Sequence, residues 1–150
     1  RKAMRKAVKR GVKITVIAAG KSDVITAKHA ERYLYRWLLK NNISIYEYQP
    51  HILHGKLSTY DGKWVTVGSY NVNDLSTFAS IELNMDVLDN SFADSVVKEL
   101  QHIINKDCEL VTPERFETHN TFLKRVWQKA CYVFIRVIFL LFTFYFKQNK

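Results

Sequence analysis

A short stretch around Asp61-Gly62 constrains the fold of this chain more than any other feature. Residues 52–60 and 63–68 contain the β-branched and aromatic residues that are typical of strands. Asp-Gly between two such segments is a strong signal for a two-residue hairpin turn. The sequence therefore predicts that these segments pair as an antiparallel hairpin.

The predicted hairpin gathers polar side chains suited to binding phosphate. Because side chains alternate along a strand, His54 and Lys56 share one face, as do Ser69 and Asn71 after the turn. The ammonium neutralises phosphate oxygens, and the imidazole suits nucleophilic or acid–base work near neutral pH. The hydroxyl and amide can donate to charge developing on phosphoryl oxygens. This set predicts phosphodiester chemistry without a metal or a cofactor.

The whole stretch reads H-x-K-x4-D-x6-G-S-x-N and resembles the HKD signature of the phospholipase D superfamily. Residues 10–17, 20–23 and 45–50 look like the second half of bacterial cardiolipin synthases, and residues 81–84 look like the E-x-N strand of the superfamily. The resemblance covers roughly residues 1–105. It implies an α/β fold with a phospholipase D-like mixed β-sheet flanked by helices. All fixed positions of the signature are present: His54, Lys56, Asp61, Gly68, Ser69 and Asn71.

The resemblance also implies a mechanism through a covalent phosphohistidine. One motif histidine attacks phosphorus, and the histidine of a second motif protonates the leaving alcohol. His54 would be one of these two histidines and Lys56 one of two phosphate-binding lysines, with Ser69 and Asn71 lining the phosphate site. If the nucleophile belongs to the N-terminal motif, as in most two-motif members, His54 is the general acid and then the general base.

Two carboxylates have implied places in this scheme. Glu82 on the E-x-N strand would orient the motif histidine through its other ring nitrogen, as catalytic bases require. Asp61 belongs to the catalytic signature, but its position in the turn suits a structural role better. The chain departs from the usual family pattern at Asn73, where an aspartate is common, although Asp74 follows it.

Half of the implied active site is missing from these residues. No second H-x-K-x4-D occurs, because the other four histidines lack a lysine two positions on. Residues 1–10 look like the tail of an amphipathic helix. We expect the chain to be a fragment whose upstream half supplies the second motif. The alternative is a natural single-motif chain that completes the site as a homodimer.

Net charge indicates an anionic partner for the chain. The formal charge is +9, and seven Lys or Arg with no acidic residue lie within residues 1–14. The partner is an anionic lipid surface or nucleic acid, and charge alone does not choose between them. A solvated helix face is the alternative explanation. The two cysteines, Cys108 and Cys131, are too far apart in sequence to indicate a metal site or a disulfide framework.

Other segments alternate between helix and strand, which favours an α/β class with a mixed sheet. We predict helices over 1–10, 26–41 and 91–105, and further strands over 12–18, 43–48 and 80–88. Tyr33, Trp37 and Leu38 form an apolar stripe on the second helix, and Ser91 is the expected cap of the third. We predict a catalytic half-domain over 1–110, followed by a basic linker and an apolar helix over 111–150.

The C-terminal segment is the second informative feature. From Cys131 to Phe146 only Arg136 and Thr143 interrupt the apolar run. Sixteen helical residues reach roughly 24 Å, less than the roughly 30 Å hydrocarbon core of a bilayer. Flanking lysines and arginines suit anionic headgroups. We expect a helix in the membrane interface, the alternatives being a short spanning helix and a helix docked on the protein.

These features order the functional hypotheses. The first is a cardiolipin synthase-like enzyme at the bacterial inner membrane, cytoplasmic side, that transfers or hydrolyses the phosphatidyl group of a phospholipid such as phosphatidylglycerol. The second is a phospholipase D-family nuclease, which the basic first helix favours and the apolar tail does not. The third is a non-catalytic lipid-binding member, for which a complete motif would serve no purpose.

Overall fold

The computed structural model describes residues 1–71 and 81–148, and for residues 142, 143 and 145–148 it describes the backbone alone. In chain order its elements are α1 (Lys2–Lys9), β1 (Thr15–Lys21), α2 (Ile25–Lys40), β2 (Ser44–Ile52), β3 (Leu57–Tyr60), β4 (Trp64–Gly68), β5 (Asn84–Leu88), α3 (Asn90–Asp107), β6 (Cys108–Leu110), α4 (Pro113–His119) and α5 (Phe122–Gln148). They fall into two compact units, one of residues 1–53 and 104–135 and one of residues 54–103 and 136–150.

The first unit is built on a mixed three-stranded sheet in the order β1-β2-β6. β1 and β2 are parallel, with Thr15 opposite Ser44, and β6 pairs antiparallel to β2. The connection between two parallel strands needs a crossover, which α2 provides. The sheet is therefore the mixed sheet that the alternating pattern predicts, extended by a short strand that the sequence did not reveal.

The core of the first unit lies between this sheet and the helices α2 and α4. Tyr35 is 2% exposed, and Ala18, Ile45 and Phe116 pack with it. Leu38, from the predicted apolar stripe, packs against this cluster. Phe116 belongs to the stretch predicted to be a linker, where the structure forms the helix α4 instead.

A buried carboxylate lies at the edge of this core. Strand alternation puts Glu47 on the same face as Ile45, and Glu47 is only 7% exposed. Its oxygens accept hydrogen bonds from Arg32 Nη2 at 2.9 and 3.0 Å and from Lys28 Nζ at 3.0 Å. The hydroxyl of Tyr35 donates at 3.0 Å to the same carboxylate. α2 and β2 are thus joined by charge as well as by apolar contact.

The environment of this cluster shifts two pKa values in the direction expected from its geometry. Burial alone would raise the pKa of Glu47, but hydrogen bonds and positive charge from Arg32 and Lys28 outweigh it and hold the pKa below its usual value. Burial, reinforced by Glu31 and Glu47, raises the pKa of the Tyr35 hydroxyl. Glu47 therefore stays ionised and Tyr35 stays protonated at neutral pH.

The second unit contains an antiparallel sheet in the order β3-β4-β5. The predicted hairpin is confirmed: Asp61 and Gly62 lie at its turn with φ of 47° and 62°, and Lys63 N donates to Tyr60 O at 3.0 Å. Positive φ at both central residues is what Asp-Gly turns provide. Because Tyr60 pairs with Trp64, the loop has three residues where two were expected.

Several boundaries differ from the predictions. The strand expected over 52–60 begins only at Leu57, because β2 continues through Pro50 to Ile52 and residues 53–56 are irregular. The strand expected over 80–88 begins at Asn84, and residue 80 lies outside the described ranges. The cap of α3 is Asp89 and not Ser91, since Asp89 Oδ1 accepts from Phe92 N at 2.7 Å.

α5 carries the apolar segment that the sequence singled out. Among the residues that the structure describes, none of the helices combines the length and apolar character needed to cross a bilayer.

Replacing Glu47 with glutamine should destabilise the chain by about 3 kcal/mol, because it leaves the cations of Lys28 and Arg32 without their buried counter-charge. Urea unfolding of both proteins measures this difference. In the unsubstituted chain the stabilisation should be present above pH 4–5 and be lost as the pH falls through the lowered pKa of Glu47, a dependence that the variant lacks.

The matched control is Glu109→Gln. Glu109 pairs with Arg115 at 2.9 Å, but both side chains are more than half exposed, so the cost should stay below about 1 kcal/mol. Equal costs for the two substitutions would contradict the role given to the buried cluster.

Candidate active site

The two basic residues of the motif meet in the irregular segment between β2 and β3. Lys56 Nζ is in hydrogen-bond contact with His54 Nε2, so the two side chains lie on one side as predicted, although residues 53–56 do not form the strand on which that prediction was based. Lys56 O accepts from Gly68 N at 3.1 Å, which continues the hairpin ladder one residue beyond β3. That bond places Lys56 opposite Gly68, next in sequence to Ser69.

The contact puts an ammonium group and an imidazole nitrogen side by side. An ammonium group only donates hydrogen bonds, so His54 Nε2 accepts when Lys56 is the donor. A phosphate between these groups would attract Lys56 to its oxygens and release the Nε2 lone pair. The arrangement can therefore supply a cation and a nucleophile or base at one point.

The hydroxyl of Ser69 is directed at Glu82. Ser69 Oγ donates to Glu82 Oε2 at 2.5 Å and accepts from Leu83 N at 3.0 Å, while Ser69 N donates to Leu83 O at 3.0 Å. A serine hydroxyl has one proton to donate. If Ser69 binds phosphate by donation, the hydroxyl must first turn away from Glu82.

The E-x-N residues hold the segment that carries Ser69. Glu82 accepts a hydrogen bond from the Ser69 side chain, and Asn84 Oδ1 accepts one from Tyr70 N at 3.2 Å. The predicted orienting bond from Glu82 to His54 stays a prediction. The hydrogen bond from Tyr70 N to Asn84 was not predicted from the sequence. The type and spacing of these residues do not reveal which backbone group Asn84 binds.

Gly68 marks the closest approach of the two chain segments. It pairs with Asn84, and a Cβ at this position would lie 2.2 Å from both Asn84 Oδ1 and Leu83 O. No side chain fits at such distances, which explains why the motif needs glycine here. Gly55 is different, because a Cβ there would meet nothing within 4 Å.

The remaining motif residues have simpler settings. Asp61 is exposed at the hairpin turn in the left-handed region that aspartate tolerates, which fits a structural role. Asn71 is exposed after the returning strand, and its predicted place in the phosphate site stays a prediction. Asn73 and Asp74 lie outside the described residues.

Fold comparison defines the class of protein. The crystal structure of a phospholipase D family member, Nuc from Salmonella typhimurium, matches with a TM-score of 0.62 and 19% sequence identity, over 74% of this chain and 72% of that one. At this identity the match concerns the fold. The chain therefore shares its fold with this phospholipase D family member, as the motif predicts.

Sequence comparison gives the family. Residues 1–104 match the family model described as "Cardiolipin synthase, PLD-like domain", and the chain belongs to this family. Cardiolipin synthase B of Salmonella typhi is 40% identical over 109 residues, which are 73% of this chain and 26% of that protein. Cardiolipin synthase A of Proteus mirabilis is 26% identical over 132 residues, 88% of this chain and 27% of that protein. The chain thus spans about a quarter of the length of these curated relatives.

Gly68→Ala should lower the free energy of unfolding by about 1–3 kcal/mol, because the added methyl group meets backbone and an asparagine side chain rather than a flexible chain end. Denaturant titration measures the loss. Gly55→Ala is the matched control from the same motif and should change stability by less than about 0.5 kcal/mol. Similar losses at the two positions would contradict the close approach at Gly68.

Proposed function

We propose that the chain supplies one half of the active site of a phosphatidyltransferase or hydrolase that cleaves phosphodiesters of phospholipids, as its cardiolipin synthase relatives suggest. The observation that supports this most is the pairing of His54 with Lys56 beside the segment held by Glu82 and Asn84. The substrate would be an anionic phospholipid such as phosphatidylglycerol.

The proposed reaction passes through a phosphohistidine in two steps. Nε2 of one motif histidine attacks phosphorus, the bond to the leaving alcohol breaks, and the other motif histidine gives its proton to the departing oxygen. Water or a second alcohol then attacks phosphorus, breaks the P–N bond and returns a proton to the second histidine. Lys56 would neutralise the phosphate oxygens throughout.

His54 could take either role of a motif histidine. Beside Lys56 it could attack phosphorus as nucleophile, or donate a proton to the leaving alcohol and later accept one from the second nucleophile. The second histidine and lysine would come from another HKD motif, in an N-terminal half or in a second copy of the chain.

A nuclease is the second candidate function. Helix α1 exposes Lys2, Arg5, Lys6 and Lys9, which suit a polyanion. Nucleic-acid binding through such contacts weakens steeply with salt. Cleavage of DNA with phospholipid left intact would favour this candidate over the lipid enzyme.

His54→Ala should lower phosphatidyl turnover at least about 10³-fold, because the substitution removes a group that reacts with or protonates the substrate. Conversion of phosphatidylglycerol in vesicles, with the second motif present, measures it. His51→Ala is the matched control: His51 is exposed three residues earlier and should leave turnover unchanged. Lipid binding should persist in both variants. Unchanged turnover in His54→Ala would remove His54 from the mechanism.

The outer face of α5 supports placement at a membrane surface. Its exposed apolar residues occupy an arc of roughly 140° at about 100° per residue. Lys129 and Arg136 border one edge of this arc and Lys124 the other, all three exposed. The members of this apolar face are Phe122, Leu123, Val126, Trp127, Val133, Phe134, Val137, Leu140, Leu141 and Phe144.

A helix of this kind suits the interface between headgroups and acyl chains better than the bilayer interior. The apolar face would enter the acyl region while the bordering cations contact anionic headgroups. Arg136, costly within a spanning segment, then lies at the border of the face, where its charge reaches the headgroups. We place the chain on the cytoplasmic face of a bacterial inner membrane, where its substrate would lie.

A double variant in which Phe134 and Leu141 are both replaced by glutamate should bind phosphatidylglycerol-containing vesicles about a hundredfold more weakly. The reason is that two large apolar side chains can no longer be buried in the membrane. Co-sedimentation and Trp127 fluorescence measure the partitioning. Ile25→Glu, at an exposed apolar position on α2, should bind like the original chain. Equal binding by all three proteins would contradict the interfacial placement.

A further inference from the structure

Helix α1 carries its positive charge on one face. Its four exposed cations lie within an arc of about 100°, at about 100° per residue. Met4, Ala7 and Val8 are half-buried and lie on the other side of the helix. The members of this cationic face are Lys2, Arg5, Lys6 and Lys9. The helix therefore packs with its small apolar side and turns its cations to the outside.

The charge of the cationic face is not balanced by neighbouring acids. Residues 1–14 contain no acidic residue. The ion pairs among the described residues, within 1–71 and 81–148, involve none of its four side chains. An exposed patch of one sign attracts partners of the opposite sign. The face is therefore suited to an anionic surface.

Helices α1 and α5 lie against the same side of α2. Three contacts define this side: Arg1 Cζ lies 5.7 Å from the centre of the Trp37 ring, and ring centres are 6.4 Å apart for His29 and Trp127 and 4.7 Å apart for Tyr33 and Tyr132. The three residues of α2 follow one another at intervals of four, so they form one stripe along the helix. Because Trp37 comes one turn after Tyr33, the start of α1 lies about 6 Å along α2 from the contact with α5.

The stripe faces away from the sheet of the first unit. Tyr35 and Leu38 of the same helix pack in the core, and they lie roughly 150° from the middle of the stripe. Helix α2 therefore lies between the sheet and the two other helices. Within the first unit, α5 buries Gln128 and Cys131 and exposes its apolar face on the other side. An exposed apolar face and an exposed cationic face thus occur together on the side of α2 away from the sheet.

We infer that the cationic face of α1 is a second membrane contact, which binds the headgroups of anionic phospholipids beside the apolar face of α5. Insertion of apolar side chains does not depend on headgroup charge, whereas each lysine or arginine near an anionic bilayer adds to the affinity. The cationic face thus makes the chain selective for anionic membranes. Nucleic acid would use the cations but not the exposed apolar side chains beside them. The inference rests on the proposed interfacial placement of α5 and is independent of the chemistry at His54.

Replacement of Lys2, Lys6 and Lys9 together by glutamine tests the contact. Glutamine has nearly the helix propensity of lysine, so this α1 variant should fold. Binding of the full chain to vesicles of phosphatidylglycerol mixed with phosphatidylcholine should weaken about a hundredfold. Binding to phosphatidylcholine alone should not change. At about 1 M salt, where the Debye length is roughly 3 Å, the difference between the variant and the original chain should disappear.

The matched control replaces three other exposed lysines by glutamine and so removes the same net charge. These lysines are Lys63, Lys98 and Lys106. The control should bind the mixed vesicles like the original chain. Equal weakening in both triple variants would mean that net charge alone attracts the chain, and no weakening in either would mean that the cations of α1 only meet solvent. Either result overturns the inference.

Acetylation of the unsubstituted chain gives a second measurement. Bound mixed vesicles should protect the lysines of α1 from reaction and leave Lys98 and Lys106 reactive, which mass spectrometry of the digested chain measures. Lysines of α1 that react equally fast with and without vesicles would overturn the inference.

The same vesicles separate the contact by α1 from the placement of α5. Loss of binding confined to the α1 variant supports the cationic contact and contradicts the placement of α5. Loss confined to the double variant at Phe134 and Leu141 overturns the inference and leaves the placement of α5 standing. Weaker binding of a labelled DNA duplex by the α1 variant, with vesicle binding kept, would identify a nucleic-acid surface and overturn the inference as well.

Discussion

The candidate active site depends on one close approach, between Gly68 and the segment that begins β5. At this point the backbone of Gly68 lies where a side chain would clash with Leu83 and Asn84. The approach allows Ser69 to bond with Glu82 and Leu83, and Tyr70 with Asn84. On its other side Gly68 bonds to Lys56 and so to the partner of His54. One glycine thus connects the His54–Lys56 pair to the E-x-N residues Glu82 and Asn84.

Local rules sufficed for the features that depend on neighbours in sequence. The hairpin at Asp61-Gly62 follows from turn chemistry, and α2 from its apolar spacing. The α/β class follows from the order of the elements. The motif residues could be named because the signature specifies their types and spacing, although their catalytic roles stay proposals.

Features that depend on distant parts of the chain could not be predicted in this way. The strand β6 has three residues and exists only because β2 offers an edge to Cys108–Leu110. Helix α4 is held in place by Phe116, and Phe116 packs on Tyr35, which lies more than seventy residues earlier in the chain. The contact of Asn84 with Tyr70 is of the same kind. The buried carboxylate of Glu47 was not predicted either, because its cations Lys28 and Arg32 lie on another element of the chain.

The cluster around Glu47 also restricts how the sequence of this part of the chain can evolve. Any single step that neutralises Glu47 leaves two cations facing an apolar core, and loss of both cations leaves an anion there. Replacing this cluster in evolution therefore requires coordinated substitutions on α2 and β2. A protein that carries only some of these substitutions would be less stable than the original protein or the fully substituted one. We expect these positions to covary among relatives, so that a replacement at one is accompanied by a compensating replacement at another.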